Sequence, residues 1–384
     1  MKINSISASA ILDSRKDKTI QVAIKTNVGN FSASAPNGKS TGKFEVRCYK
    51  KSIDEDIKSL KNLSDYFSED DFVEFDDLKK VEEVLDRHVG GNTLLALECA
   101  VLKAVAKESK KEVWELINEK AKKLPAQIGN VIGGGKHSEL TNNRMPDFQE
   151  FLVISKDYEL IKKVHKEAEK LLKGFDENFN SKRNDENAWQ TSLNEKEVLD
   201  ILLRLKKEFK IDIGLDIAAS SFYKRKKYKY ENPKLDRDID EQLGYVSNLI
   251  KNYGLLYIED AFEENDFESF AKLLKKCPDS LIVGDDLTVT NSKRLDKAIK
   301  MKSINAIIVK PNQCGSLLEV KRVVELARKN NIKIIFSHRS GETEENILAD
   351  LAFGFQADYI KVGVVGKERE SKIERLIDIE KSLN

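Results

Sequence analysis

FSHRSGETEE, residues 336–345, decides how the rest of the chain is read. The apolar run IKIIF (332–336) leads into it and gives way to Ser337, His338, Arg339, Ser340 and Gly341. Groups that can hold an anion or move a proton therefore sit where a buried strand stops. The acidic residues Glu342, Glu344 and Glu345 then open an apolar helix. In a barrel of alternating strands and helices, such strand ends form the mouth where chemistry is done.

Outward from this stretch, strand patterns recur at 128–132, 150–154, 211–216, 255–260, 281–286, 304–310 and 358–362. From 211 onward each is followed by a helix-period segment, which argues for a parallel sheet with helices outside it. With 332–338 they make the strand complement of a (β/α)8 barrel. Six successive strands end in reactive groups: Asp216, then Glu259 and Asp260, Asp285 and Asp286, Lys310, His338 and Arg339, and Lys361. Any one of them alone reads as a helix cap or turn residue. Six in succession are poorly explained that way. Carboxylates on three successive strands supply hard oxygen ligands of the kind Mg²⁺ takes. Two lysines and a histidine then face them, and a lysine close to Mg²⁺ and a second lysine would have a lowered pKa and could act as a base.

Earlier in the barrel, GGGKHSEL (133–140) is a glycine-rich loop carrying His137, and Gln149 and Glu150 open the next strand. The loop NDENAW carries Asp185 and Glu186. If Glu150 and Glu186 meet, their repulsion raises one pKa and yields a general acid. His88 and His165 lie in Lys/Glu-rich helical contexts and receive no role.

Upstream, 3–11, 19–26 and 30–35 alternate apolar and polar residues as three strands of a small antiparallel sheet. The loop APNGKSTGKFE follows. Its GKST fails the phosphate-loop pattern because Ala33 stands where a glycine is required. Residues 53–121 read as helical, with NTLLALECAVLKAVAKES (92–109) apolar on most sides and Asn92 as its cap. Pro125 ends this region, dividing an α+β domain (1–124) from the barrel (125–384).

The 384 residues carry a net charge of +1, with acidic and basic side chains interleaved, so no global field favours nucleic acid or an anionic membrane. Four scattered cysteines without a CxxC pair suit free thiols in a reducing compartment. The N-terminus is a poor signal peptide, and no run approaches the ~18 apolar residues of a membrane span, so a cytoplasmic location is expected.

The chain resembles the enolases over nearly its full length. The matching pieces are ILDSR (11–15), NGKSTG (37–42), GGGKH (133–137), QEF (149–151), NDE (184–186), GLDIAAS (214–220), YIEDAF (257–262), GDDLTVTN (284–291), VKPNQCGSL (309–317), SHRSGETE (337–344) and IKVG (360–363). The KPNQ and GLDIAAS forms resemble archaeal members. The resemblance implies an enolase-type (β/α)8 barrel, second strand antiparallel, with a smaller α+β N-terminal domain. It implies Mg²⁺-dependent, reversible dehydration of 2-phospho-D-glycerate to phosphoenolpyruvate by a homodimer or higher homo-oligomer. Two Mg²⁺ ions are implied, the second arriving with substrate. Asp216, Glu259 and Asp285 would bind the first ion, and Ser40 and its loop would close over the second. Lys310 would be the base and Lys361 would stabilise the enolate. Glu186, supported by Glu150, would protonate the leaving hydroxyl, with His338 beside it. Arg339 and Ser340 would hold the phosphate. His137 would close over the site, and Gln149 would contact it.

Departures from the family pattern fall in the loops. NDENA stands for the usual GDEGG, so Asn184, Asn187 and Ala188 occupy glycine positions. NGKS stands for SGAS, placing Lys39 beside the phosphate. These changes leave two alternatives open: a paralogue acting on another phosphorylated or β-hydroxy acid, and a non-catalytic binding protein on the same fold.

Overall fold

The computed structural model describes residues 1–39, 42–67 and 70–383. Ser40, assigned above to metal and substrate, lies outside the described residues.

The N-terminal sheet consists of Ile3–Leu12, Lys18–Thr26 and Gly29–Ser34, paired antiparallel in that order. Alternation in the middle strand turns Ile20, Val22 and Ile24 to one fully buried face. The helix Gly91–Ser109 packs on that face and is itself buried on most sides. Asn92 does not cap it. Gly90 occupies the cap position, and the carboxylate of Asp56 accepts from Gly90 N (2.8 Å) and Thr93 Oγ1 (2.6 Å). A residue distant in sequence thus satisfies the helix start. Asn92 instead donates to Pro36 O (3.1 Å) and Asn37 Oδ1 (3.0 Å), bracing the loop that runs towards the barrel.

Eight strands close the barrel: Ala126–Gly133, Glu150–Ser155, Asp212–Asp216, Tyr257–Glu259, Leu281–Gly284, Ala306–Val309, Lys333–Ser337 and Tyr359–Lys361. All eight fall within or beside the expected segments, and the last pairs with the first to complete the ring. The second strand runs antiparallel to both neighbours; the other pairings are parallel. Two helices, Tyr158–Phe175 and Glu195–Phe209, separate the second strand from the third. Ile128, Leu152, Ile154, Tyr257, Val283, Ala306, Ile308 and Ile335 fill the barrel interior, and a larger apolar layer lies between the strands and their helices.

Register places the chemistry. Glu150 pairs with Asp216, Asp216 with Glu259, and Ser337 with Lys361. Because the second strand is reversed, its first residue, not its last, reaches the mouth. The N-terminal domain docks on the same end. Asn37 and Gly341 exchange backbone hydrogen bonds of 2.7 and 2.8 Å, and Ser14 N donates to Glu342 O at 2.7 Å.

Three short antiparallel strands within 223–237 were not expected from the sequence. At their second turn, Glu231 N and Asn232 N donate to the Asp147 carboxylate, each at 3.0 Å, which ties down the loop between the first two barrel strands.

Candidate active site

One cavity at the barrel mouth is lined by His137, Gln149, Glu150, Glu186, Asp216, Asp285, Lys310, His338, Arg339, Ser340 and Lys361. Of the expected site residues within the described part of the chain, this leaves Glu259, which lies directly behind Lys361. Lys361 Nζ is 2.8 Å from Glu259 Oε2, 3.0 Å from Asp216 Oδ2 and 3.1 Å from Glu150 Oε2. Burial pulls Lys361 down, but these three carboxylates hold it well above an ordinary lysine. Tyr257 donates its hydroxyl to the same Glu259 oxygen.

Lys310 pairs with Asp285 Oδ2, while Gln313 Nε2 donates to Asp285 Oδ1 at 2.8 Å. Burial does depress Lys310, but the Asp285 charge outweighs it and raises the group. Asp260 and Asp286 join the cluster. Asp260 adopts φ +44°, and its two carboxylate oxygens accept from Asp285 N (3.1 Å) and Asp286 N (2.8 Å), fixing the adjacent strand end.

This carboxylate set suits a hard cation. Glu259 Oε1 is buried with no hydrogen-bond partner among the described residues. Burial and then the Asp216 charge push Glu259 up to about 8, and burial and then Asp285 push Asp286 up to about 7. Such crowded negative charge is relieved by bound positive charge, and all the donors are oxygens.

Glu150 and Glu186 do meet, each with an oxygen within 4.8 Å of the other's and of a nitrogen of His137. Burial and then the Glu186 charge push Glu150 well above the carboxylate range. Burial also raises Glu186, but His338, His137 and Arg369 together hold it well below that range. Of the two, Glu150 is shifted towards its protonated form and Glu186 towards its charged form. His338 is itself kept neutral by burial and Arg369. Arg369 Nη1 donates to His338 Nδ1 at 2.7 Å, so the ring proton belongs on Nε2, 3.7 Å from Glu186 Oε2.

Arg339 lies against the N-terminal domain. Its guanidinium donates to both oxygens of Glu45, at 2.8 and 3.1 Å, and to Asn312 Oδ1 at 3.0 Å. A Cβ at Gly38 would fall 1.9 Å from Arg339 Nη2, so a side chain there would displace the guanidinium from this position. Ser340 Oγ accepts from Lys39 N at 2.8 Å.

Family models match both parts of the chain. "Enolase, N-terminal domain" covers residues 3–117, and "Enolase, C-terminal TIM barrel domain" covers residues 121–384. The chain belongs to the enolase family. It is 34% identical to the enolase of Methanosphaera stadtmanae, over 99% of this chain and 97% of that protein. Identity is also 34% with the enolase of Pyrobaculum aerophilum (99% and 96%), and 36% with that of Sulfurisphaera tokodaii (99% and 95%). As an enolase, the protein is a lyase of the phosphopyruvate hydratase type.

The altered enolase loops keep their shape by particular contacts. Asn187 adopts φ +64°, a left-handed conformation that asparagine tolerates better than most residues. Asn184 Oδ1 accepts from Glu186 N and Ala188 N, both at 3.0 Å, so a side chain braces the turn that aims Glu186. Lys39 does not present a free charge to a phosphate: its Nζ lies 2.8 Å from Asp185 Oδ2.

Glu45, Asn130 and Arg369 were missed by sequence reasoning. Arg369 is fully buried and donates to His338, Arg339 O (2.6 Å) and Ser340 O (2.7 Å). Its setting, KERESK, is indistinguishable from a solvated helix face. Asn130 Nδ2 donates to Glu186 Oε2 at 3.1 Å from inside a strand with no polar pattern around it. Glu45 had one signal, its place three residues after Gly42 in the loop already singled out.

Proposed function

We propose that this enolase catalyses the Mg²⁺-dependent, reversible dehydration of 2-phospho-D-glycerate to phosphoenolpyruvate. The observation that carries the reading is a pocket with Lys310 on one wall, the Glu150–Glu186 pair on another, and Arg339 and Ser340 between them and the N-terminal loop. Asp216, Glu259 and Asp285 would hold Mg²⁺, which when bound supplies positive charge to the substrate carboxylate and to the enolate.

Arg339 and Ser340 bind the phosphate, Arg339 exchanging part of its contact with Glu45 for phosphate oxygens. Lys310 Nζ, deprotonated once the Asp285 carboxylate is engaged elsewhere, takes the proton from the carbon bearing the phosphate. Lys361 places its ammonium beside the charge that develops on the carboxylate. Glu186 gives a proton to the hydroxyl on the next carbon, which leaves as water while the carbon–carbon double bond forms. Glu150 stands beside Glu186, and the repulsion between them disfavours full ionisation of the pair. The buried Nε2–H of neutral His338 holds the leaving oxygen's side of the pocket. The pairing of Lys39 with Asp185 supports this reading over a different anionic substrate.

The test is direct. Purified protein with Mg²⁺ and 2-phosphoglycerate should develop the ultraviolet absorbance of phosphoenolpyruvate. Absence of turnover in protein that demonstrably binds Mg²⁺ would overturn this substrate assignment.

A further inference from the structure

Arg369 lies in the first turn of the C-terminal helix Lys367–Leu383 and is 1% exposed. Its acceptors are one imidazole nitrogen and three backbone carbonyls. Nη1 donates to His338 Nδ1 at 2.7 Å and to Arg339 O at 2.6 Å. Nη2 donates to Ser340 O at 2.7 Å and to Asp185 O at 3.3 Å. Among the described residues, no carboxylate forms an ion pair with this guanidinium. Burying a cation without such a partner is costly, so the stability of the fold is a poor reason for an arginine here. A rigid fork of donors is needed where several acceptors must be held at set angles at once.

Those acceptors belong to the two loops that carry the proposed chemistry. Arg339 and Ser340 are the phosphate-holding pair, and Asp185 precedes Glu186. The backbone of His338 is already fixed, since its N donates to Lys361 O at 2.9 Å. What remains open in His338 is the rotation and tautomer of the ring. Arginine does not give up its proton, so Nδ1 is the acceptor and Nε2 carries the ring hydrogen, 3.7 Å from Glu186 Oε2. Arg369 is itself held in place. One turn on, buried Lys372 pairs with Glu342 Oε2 at 2.9 Å and donates to Thr343 O at 2.6 Å, docking the helix on the same strand-end loop.

We propose that Arg369 is a positioning residue for the dehydration: it locks His338 in the Nε2–H tautomer facing Glu186, and it holds the Arg339–Ser340 backbone in the shape that takes up phosphate. The effect on turnover rests on the function proposed above; the effect on the ring does not.

The experiment is nitrogen-15 NMR of the full chain with labelled histidine, beside steady-state kinetics. There are four histidines, and His338→Asn assigns the signal of interest. In the native chain His338 should stay neutral with its proton on Nε2 between about pH 5 and 8, the interval in which an ordinary histidine changes charge. In Arg369→Met the ring should take up a proton on Nδ1 within that interval. An unchanged Mg²⁺-induced rise in melting temperature shows that the variant is folded. Its kcat should fall at least about tenfold, and its KM for 2-phosphoglycerate should rise about fivefold or more, as expected of misplaced reacting groups. Arg369→Lys keeps the charge and a single-point donor without the fork, so it should restore the ring state and much of kcat while KM stays raised. A native His338 that titrates in this interval or carries its proton on Nδ1 overturns the lock, with no variant needed. Unchanged ring signals in folded Arg369→Met overturn it too. Native kinetic constants in Arg369→Met, or equal losses of kcat in both variants, overturn the positioning role. If the native chain binds Mg²⁺ and never turns over 2-phosphoglycerate, the substrate assignment falls, and the ring signals still decide whether Arg369 holds His338.

Discussion

Glu45, from the N-terminal domain, grips the guanidinium of Arg339, from the barrel, with both carboxylate oxygens. Both side chains are almost fully buried, at 6% and 4% exposure. The glutamate thus stands where an anionic substrate group would compete for the arginine. Breaking a buried pair from one side costs about 3–5 kcal/mol because the surviving charge is left uncompensated. Glu45→Gln should therefore lower the melting temperature of the free protein and enlarge the stabilisation given by inorganic phosphate. Thermal melts with and without phosphate measure both effects. An equal phosphate shift in variant and native protein would show that Glu45 and phosphate do not compete.

Removing Lys310 deletes the proposed base and also the partner of Asp285. Lys310→Ala should reduce kcat by at least about a hundredfold, the lower end of what general bases contribute. Mg²⁺ affinity should hold or strengthen, since Asp285 loses a competing cation. Isothermal titration with Mg²⁺ beside the steady-state assay separates the two. A variant that keeps its kcat would remove Lys310 from the mechanism.

If Mg²⁺ binds among the crowded carboxylates as proposed, stability should depend on it. At a Mg²⁺ concentration a hundred times its dissociation constant, binding to the folded state adds about 2.7 kcal/mol. Chelation should reverse this, and Glu259→Gln should abolish most of it. Melting curves at graded Mg²⁺ provide the measurement; an undiminished shift in the variant would place the ion elsewhere.

Lys39 and Asp185 form an ion pair that is partly exposed, at 39% and 25%. Pairs of this kind contribute about 0–1 kcal/mol. Lys39→Met should accordingly change KM for 2-phosphoglycerate by less than about fivefold. A larger rise would mean that Lys39 leaves Asp185 and holds the substrate.

His165 links pH to the shape of the acid loop. It stacks on Trp189, and its Nε2 donates to Asn187 O at 3.0 Å. Burial lowers it to about 4 from an ordinary 6.5. The unfolded chain therefore binds a proton between those values that the fold refuses. Stability is complete above about pH 6.5 and falls as pH drops towards 4, by on the order of 3 kcal/mol. His165→Gln keeps a donor without the titration, so its stability should fall less steeply over that interval in denaturant titrations. Parallel profiles would rule His165 out as the cause.

The barrel was legible because its strands are short apolar runs ended by polar groups, a pattern set by local burial. Lys310, Lys361, Asp216 and Arg339 could be singled out for the same reason, each closing such a run. The sequence by itself thus determined which residues reach the mouth, since closing a ring of strands brings their ends together whatever the details. It could not determine which charge each group feels there. That depends on Arg369, from a helix that reads as solvated, and on Glu45 and Asp285, which neutralise Arg339 and Lys310 across long chain separations. Only the folded arrangement shifts Glu150 and Glu186 in opposite directions, turns Asn187 left-handed to aim Glu186, and pairs Lys39 with Asp185. Apolar periodicity is a one-dimensional property, whereas electrostatic state is a sum over every neighbour in three dimensions, most of them remote in sequence.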